Sequence, residues 1–308
     1  MTTLPSATVA ILSWNGEKYL DAILTAVENQ DYDGTVEILV IDSGSTDGTL
    51  GIVAAHPVVR LHEIPNSEFG HGRTRDLAAR LATGDIVAYL THDAVPIGPH
   101  WLDAIVAPMA DDPRISAVMG KQVPRAGCYP LLKYEIRGVF RGLGPDFGTT
   151  VFYDNGTLLD EQAVHAAAFY SDVNAAARRS VLTGEIPYRD VSYAEDQLFG
   201  RDLIAAGHRK AYAPAAAVEH SNDLTLRQSG ERIVEEVVGL RRIGTVILPP
   251  SLLGAFKLAL RGALVDFPRI ATDRDFGLLA KIGWTFANPV YHLVKWTSYR
   301  RATRLPLQ

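Results

Sequence analysis

Three groups of acidic side chains carry the chemistry legible in this chain of 308 residues. Asp42 ends the apolar run Ile38-Leu39-Val40-Ile41 and precedes a Ser43-Gly44-Ser45 turn. Asp93 stands in Thr91-His92-Asp93-Ala94, directly after the apolar stretch Ile86 to Leu90. Glu195 and Asp196 open a helical stretch, and His220 follows one strand later. The first two groups lie at the carboxyl edge of a strand, where open α/β sheets bind their ligands. A carboxylate at Asp42 can accept from the imide N–H of uracil or thymine or from a ribose hydroxyl. It can equally stabilise its own turn, with Ser45 or Asp47 starting the next helix.

A hard divalent cation on a diphosphate wants oxygen ligands at an edge such as Thr91-His92-Asp93, with room left for phosphate and water. His220 can add one ligand, although a lone histidine is more often structural. The segment Phe69-Gly70-His71-Gly72-Arg73-Thr74-Arg75-Asp76 sets two arginines at a helix start. Helix N-termini favour anions and arginine adds bidentate phosphate contacts, so Arg75 is the candidate diphosphate contact and Arg73 reads as surface. Glu195-Asp196 sits where a helix dipole favours the ionised carboxylate, which suits a general base and equally suits an N-cap pair. Taken together, the groups read as one acid for a nucleotide, one for a diphosphate-bound metal and one as base.

These side chains need a sheet to hold them. Strands are predicted over residues 8–13, 36–41, 58–63, 86–90 and near 210–213. Helices follow the first strand through Tyr19 to Val27 and are predicted again over 46–55, 73–82, 101–109 and 196–206. Alternating strand and helix marks a mostly parallel α/β sheet with right-handed crossovers. From Pro124 to Asp160 the pattern dissolves into Gly and Pro among aromatics, as in a functional loop region or around an unplaced helix. Order returns at Phe169 to Ala177, and after Thr225 helices are predicted over 226–243, 251–267 and 276–300, divided at Pro249-Pro250 and Pro268. The expected organisation is a catalytic domain at 1–224 and a helical extension at 225–308.

Composition limits the alternatives. With 47% hydrophobic residues the chain can bury a sizeable core. The single cysteine, Cys128, excludes an internal disulfide and a cysteine zinc site, as expected of a cytoplasmic protein. Met1 to Val9 lacks a positive region and an apolar stretch, so no secretory signal is expected. The net charge of −5 is uneven, since residues 225–308 carry 13 Lys/Arg against 6 Asp/Glu. In 251–267, Leu252, Phe256, Leu260 and Leu264 fall on one face flanked by Lys257 and Arg261; Trp284, Trp296 and Tyr299 lie among Lys281, Lys295, Arg300 and Arg301. Such helices lie on the inner face of a membrane, or pack on their own domain or a second subunit. The apolar run Ile243 to Phe256 is too short and too broken to span a bilayer.

The ordered set Ile41-Asp42-Ser43-Gly44-Ser45-Thr46-Asp47-Gly48-Thr49, Arg75-Asp76, Ala82-Thr83-Gly84-Asp85, Thr91-His92-Asp93-Ala94 and Glu195-Asp196…His220 resembles the family 2 glycosyltransferases of GT-A fold. Its Phe69-Gly70-His71-Gly72 and Thr91-His92-Asp93-Ala94 variants resemble bacterial rhamnosyltransferases. The resemblance covers roughly residues 6–222. It implies inverting transfer from a dTDP- or UDP-sugar, with Mg²⁺ or Mn²⁺, onto a saccharide or lipid-linked saccharide acceptor in cell-surface polysaccharide synthesis. It also implies that Trp14, Asn15 and Asp42 line the nucleotide pocket, with Thr91 and His92 beside them. Asp93 and His220 would hold the metal, Asp196 would be the base, and Asp172 and Glu195 would meet the acceptor. Two departures stand out: Thr91-His92-Asp93 replaces Asp-x-Asp, and Asp76 stands where an asparagine usually follows the arginine. A non-catalytic nucleotide-sugar-binding scaffold is the alternative from another class, and the intact Glu195-Asp196 and His220 argue against it. Neither a Gly-x-Ser-x-Gly elbow nor a His-Glu-x-x-His is present.

Overall fold

A computed structural model describes residues 4–156, 167–191 and 193–307. Residues 157–160, the end of the Gly- and Pro-rich stretch, lie outside those described. The first elements are β1 (Ala7–Ser13), α1 (Leu20–Glu28), β2 (Val36–Asp42), α2 (Thr49–Ala55), β3 (Val59–Glu63), α3 (His71–Leu81) and β4 (Ile86–Thr91). Next come β5 (Val95–Pro96), α4 (Trp101–Asp111), β6 (Ile115–Val123), α5 (Pro130–Leu143), β7 (Thr150–Phe152) and β8 (Asn174–Arg178). The chain closes with α6 (Glu195–Ala205), β9 (Arg209–Glu219), α7 (Leu226–Arg242), α8 (Leu252–Thr272) and α9 (Leu278–Ala302).

Among the described residues the strands form one sheet in the order β3-β2-β1-β4-β8-β6-β9-β5, with β7 paired to β9. The run β3-β2-β1-β4 is parallel, β8 enters antiparallel between β4 and β6, and β6 and β9 run parallel again. β1 is buried along its whole length, the signature of a strand covered on both faces. Leu20, Ile23, Leu24 and Val27, at helical spacing, turn α1 onto the sheet. Register then does the positioning: Ser13 pairs with Asp42, and Leu12 with Thr91. The carboxyl ends of β1, β2 and β4 therefore form one edge, and the loops carrying Asn15, Ser45 and Asp93 leave from it.

Several elements differ from expectation. β6 is a nine-residue strand that alternation did not reveal, and α5 lies inside the stretch that reads as loop. β9 runs on to Glu219 because a bulge opposite Gly120 and Lys121 absorbs Pro214 and its neighbours. α8 continues through Pro268 to Thr272 rather than stopping there. Near a helix end few downstream turns depend on the bond that proline removes. By compactness the chain divides into two units, residues 1–123 with 140–220, and residues 124–139 with 221–308. In the second unit the fully buried Lys133 ammonium sits 3.2 Å from Asp273 and 2.8 Å from Asp275. Its α7 begins at a capping box of Thr225 and Gln228.

Candidate active site

At the parallel edge, Asp42 is buried and its carboxylate is engaged in its own turn. Oδ1 accepts from the Gly44 and Ser45 N–H groups at 3.0 and 2.8 Å, and Ser45 Oγ donates to Oδ2 at 2.5 Å. The turn-stabilising role is thus the one on display, with Gly44 supplying the positive φ of 79° that the turn requires. Asn15, itself at a φ of 50°, accepts from Thr46 N–H at 2.9 Å and donates its own N–H to Ser45 Oγ at 2.8 Å. Gly16 N–H donates to Thr49 Oγ1 at 2.8 Å. The loops after β1 and β2 are laced into one rim, over which the Trp14 ring stays half exposed. Such an open aromatic beside a polar rim can stack on a base.

The other end of this edge brings together two residues 127 positions apart. His220 is buried, and its Nε2 lies 3.3 Å from Asp93 Oδ2. Its Nδ1 meets Gln122 Oε1 at 3.0 Å, and Gln122 Nε2 donates to Ser171 Oγ at 3.1 Å. Gln122 fixes the ring so that Nε2 faces the carboxylate, the arrangement in which a second partner orients a histidine ligand. Thr91 Oγ1 donates to Asp93 Oδ1 at 2.7 Å. Burial alone would raise the Asp93 pKa; His220, with the Thr91 hydroxyl, instead holds it well below the usual carboxylate range. Among the described residues no group of three His, Cys, Asp or Glu side chains is placed to hold a metal ion. An oxygen and an imidazole nitrogen alone fit a cation that takes its remaining ligands from diphosphate and water, as Mg²⁺ and Mn²⁺ do. His92 lies at the same rim, its Cβ facing the Cα–H side of Gly16. Gln122 escaped the sequence reading together with the strand that carries it.

Arg75, Asp172 and Glu195 are placed differently from expectation. All three are buried, and Arg75 pairs with both acids: its Nη1 donates to Glu195 Oε1, and its Nε lies 3.1 Å from Asp172 Oδ2. Tyr188 donates its hydroxyl to Asp172 Oδ1 at 2.7 Å, and the Tyr188 ring stacks on Phe199 at 4.7 Å. An arginine at a helix start reads alike whether it faces a phosphate or a buried carboxylate. Here α3 presses so closely on residue 189 that a Cβ at Gly72 would collide with the Arg189 carbonyl, and Arg75 is carried inward. Arg75 is therefore a buried counter-ion, and Asp172 and Glu195 are its partners rather than open acceptor contacts. Burial raises the Asp172 pKa to about 6 against the opposing pull of Arg75, with Glu195 adding to the rise. Arg73, as expected, is at the surface, paired to Asp190 at 2.7 Å. Asp76 pairs with Arg80 at 2.7 Å, yet its Oδ1 is buried without a hydrogen-bond partner.

Asp196 is the carboxylate left half-buried at this cluster. Its Oδ1 accepts from Gln197 N–H at 2.7 Å. The residue ahead of the pair, Ala194, holds a left-handed φ of 62°, a strained conformation for alanine of the kind that collects at functional sites. The helix start was expected to favour ionisation. Burial, with the charges of Glu195 and Asp172, outweighs that and raises the Asp196 pKa well above the carboxylate range, against Arg75 and the Gln197 amide. A carboxyl poised upward is what a base working near neutral pH needs.

Known proteins arrange themselves around the same picture. Residues 8–183 match the model of glycosyl transferase family 2. The O-antigen chain rhamnosyltransferase WbaN of Salmonella anatum is 30% identical over 233 residues, 74% of this chain and 70% of that protein. RfbN of Salmonella typhimurium, also an O-antigen chain rhamnosyltransferase, is 29% identical over 73% of this chain and 69% of its own. Among solved structures, the mannosyltransferase PcManGT of Pyrobaculum calidifontis with GDP-Man and Mn²⁺ superposes at a TM-score of 0.60 and 20% identity, covering 99% of this chain and 89% of that one. Glucosyl-3-phosphoglycerate synthase of Mycobacterium tuberculosis with Mn²⁺, UDP and product gives 0.52 at 22% identity over 80% and 83%. These likenesses show the GT-A architecture, with helices after the sheet. A family match over more than half of the residues, on a sheet edge built as described, makes this chain a hexosyltransferase belonging to glycosyl transferase family 2.

Proposed function

We propose that the chain transfers rhamnose, with inversion, from dTDP-rhamnose to a glycan or lipid-linked saccharide acceptor during synthesis of bacterial cell-surface polysaccharide in the cytoplasm. The observation that carries this reading is the 30% identity to an O-antigen chain rhamnosyltransferase across 74% of the chain. In this reading Trp14, Asn15 and the rim around Asp42 receive the nucleotide, with Thr91 and His92 beside it. Asp93 and His220 would hold Mg²⁺ or Mn²⁺, which would supply positive charge to neutralise the departing diphosphate. Asp196 accepts the proton of the acceptor hydroxyl as that oxygen bonds to the anomeric carbon and the bond to diphosphate breaks. Arg75, Asp172 and Glu195 act from beneath, setting the electrostatic environment of Asp196 rather than touching either sugar. In the same reading 1–224 is the catalytic domain, though residues 124–139 pack with the second unit, and 225–308 serves contact rather than chemistry. Thermal denaturation with nucleotide sugars, each with and without Mn²⁺, tests the donor. A ligand that binds the native state alone raises its stability by mass action, about 2.7 kcal/mol at a hundredfold excess over Kd. dTDP-rhamnose is expected to give the largest shift; a shift from GDP- or ADP-sugars alone would refute the donor.

A further inference from the structure

Helices α8 and α9 of the second unit are packed inside out. Their buried positions are Ala255, Ala259, Asp266 and Ile270 on α8 and Asn288, His292 and Ala302 on α9. The seam is polar: His292 Nε2 lies 2.8 Å from Asp266 Oδ2, and Asn288 Nδ2 donates to the same oxygen at 3.2 Å. It is also tight, because a Cβ on Gly262 would collide with the His292 ring. Lys281 Nζ donates to the Ala271 carbonyl at 2.9 Å, closing an antiparallel hairpin.

The large apolar side chains face away from that seam. Phe256, Leu260 and Leu264 recur every four residues along α8 at 48%, 62% and 65% exposure. On α9, Ile282, Phe286 and Val290 repeat the pattern at 50%, 75% and 45%. A helix in a water-soluble core does the reverse, hiding leucine and phenylalanine and showing its polar stripe. Small residues and hydrogen-bonded polar groups at the seam, with bulky apolar groups outside, is how helices pair when lipid is the solvent. Exposed apolar rows of this extent mark a contact surface.

Charge selects the partner. Lys257 and Arg261 stand exposed beside Phe256 and Leu260. Residues 276–308 hold five basic residues and no acid; with Lys281 on the Ala271 carbonyl and Lys295 on Glu135, Lys257 and Arg261 carry the charge beside the apolar row. Two copies of one basic face repel, whereas anionic lipid complements it. No helix among the described residues is long and apolar enough to cross a membrane. We therefore propose that α8 and α9 dock on an anionic bilayer surface, with Phe256, Leu260, Leu264, Ile282 and Phe286 at the acyl boundary and Lys257 and Arg261 against lipid phosphates. This inference does not depend on the donor sugar.

Flotation of the full chain with phosphatidylcholine vesicles, with and without phosphatidylglycerol, tests it. The protein is expected to float with the mixed vesicles and to do so less at high salt. Leu260→Glu with Phe286→Glu, both at exposed positions, should leave melting unchanged and cut vesicle binding at least ~10-fold, since charge at an acyl boundary is costly. Lys257→Ala with Arg261→Ala should lose the preference for anionic vesicles by about 25-fold, roughly five-fold for each residue. Absence of flotation would overturn the proposal. So would a dimer in solution that Leu260→Glu/Phe286→Glu dissociates while vesicles bind neither form, which would assign the face to a second copy.

Discussion

Replacing Arg75 with methionine probes the buried cluster most sharply. The change keeps much of the aliphatic bulk and removes the guanidinium that Asp172 and Glu195 share, their side chains being 0% and 7% exposed. Breaking a buried ion pair by removing one partner costs about 3–5 kcal/mol, because the remaining charge is stranded. For a chain of this size that is a fall of roughly 5–8 °C in Tm. The loss also has a definite pH dependence. A carboxyl whose folded pKa is raised supports the fold below its unfolded value near 4 and withdraws that support as pH rises through the folded value. Asp172 sits at about 6 with Arg75 present. Without Arg75 it rises further, so the variant is expected to be weakened fully near pH 8 and much less near pH 5. Urea unfolding of both proteins at the two pH values measures this directly. A variant within ~1 kcal/mol of the parent near pH 8, but with donor KM raised, would refute the buried counter-ion and return Arg75 to the diphosphate.

Gln122→Leu removes the partner of His220 Nδ1 and should weaken Mn²⁺-dependent nucleotide binding about 10–100-fold. Titration calorimetry with and without metal reads it, and an unchanged affinity would dissociate Gln122 from the site. Lys210 is buried, and desolvation brings its pKa down to about 7. A depressed lysine binds fewer protons folded than unfolded, so it weakens the fold below its ordinary pKa and this cost disappears as pH rises toward that value. Lys210→Met should therefore gain stability most near pH 6, with the gain vanishing near pH 10, by urea unfolding. Asp273→Asn strips charge from the fully buried Lys133 and is expected to cost about 3 kcal/mol, moderated by Asp275; an unchanged Tm would contradict the pairing.

What the sequence disclosed follows from where the information is local. Ile38 to Asp42 and Ile86 to Asp93 announce themselves because an apolar run meets turn chemistry, and register then makes neighbours of their ends. Asp93 and His220 meet at 3.3 Å only because β9 pairs with β6 and β5, which no spacing along the chain encodes. Arg75 was legible as an anion-binding side chain but not as a buried one. Burial depends on Gly72 letting α3 approach residue 189. β6 escaped because Ile115-Ser116-Ala117-Val118-Met119-Gly120 is buried on both faces and so shows no alternation. The apolar stripe of α8 is legible in its spacing, while its outward direction belongs to the packing of Gly262, Asp266 and His292.

We propose Asp196 as the base, with a pKa lifted by burial and by Glu195 and Asp172. The pH dependence of kcat for transfer from dTDP-rhamnose, in the parent and in Asp196→Asn, tests it. The parent is expected to lose turnover on its acid limb at a pH above the ordinary carboxylate range. Asp196→Asn should bind donor nucleotide normally and turn over at least ~100-fold more slowly, the lower range for general-base catalysis. Near-normal turnover in Asp196→Asn with an inactive Glu195→Gln would move the base by one residue, and normal turnover in both would contradict the mechanism.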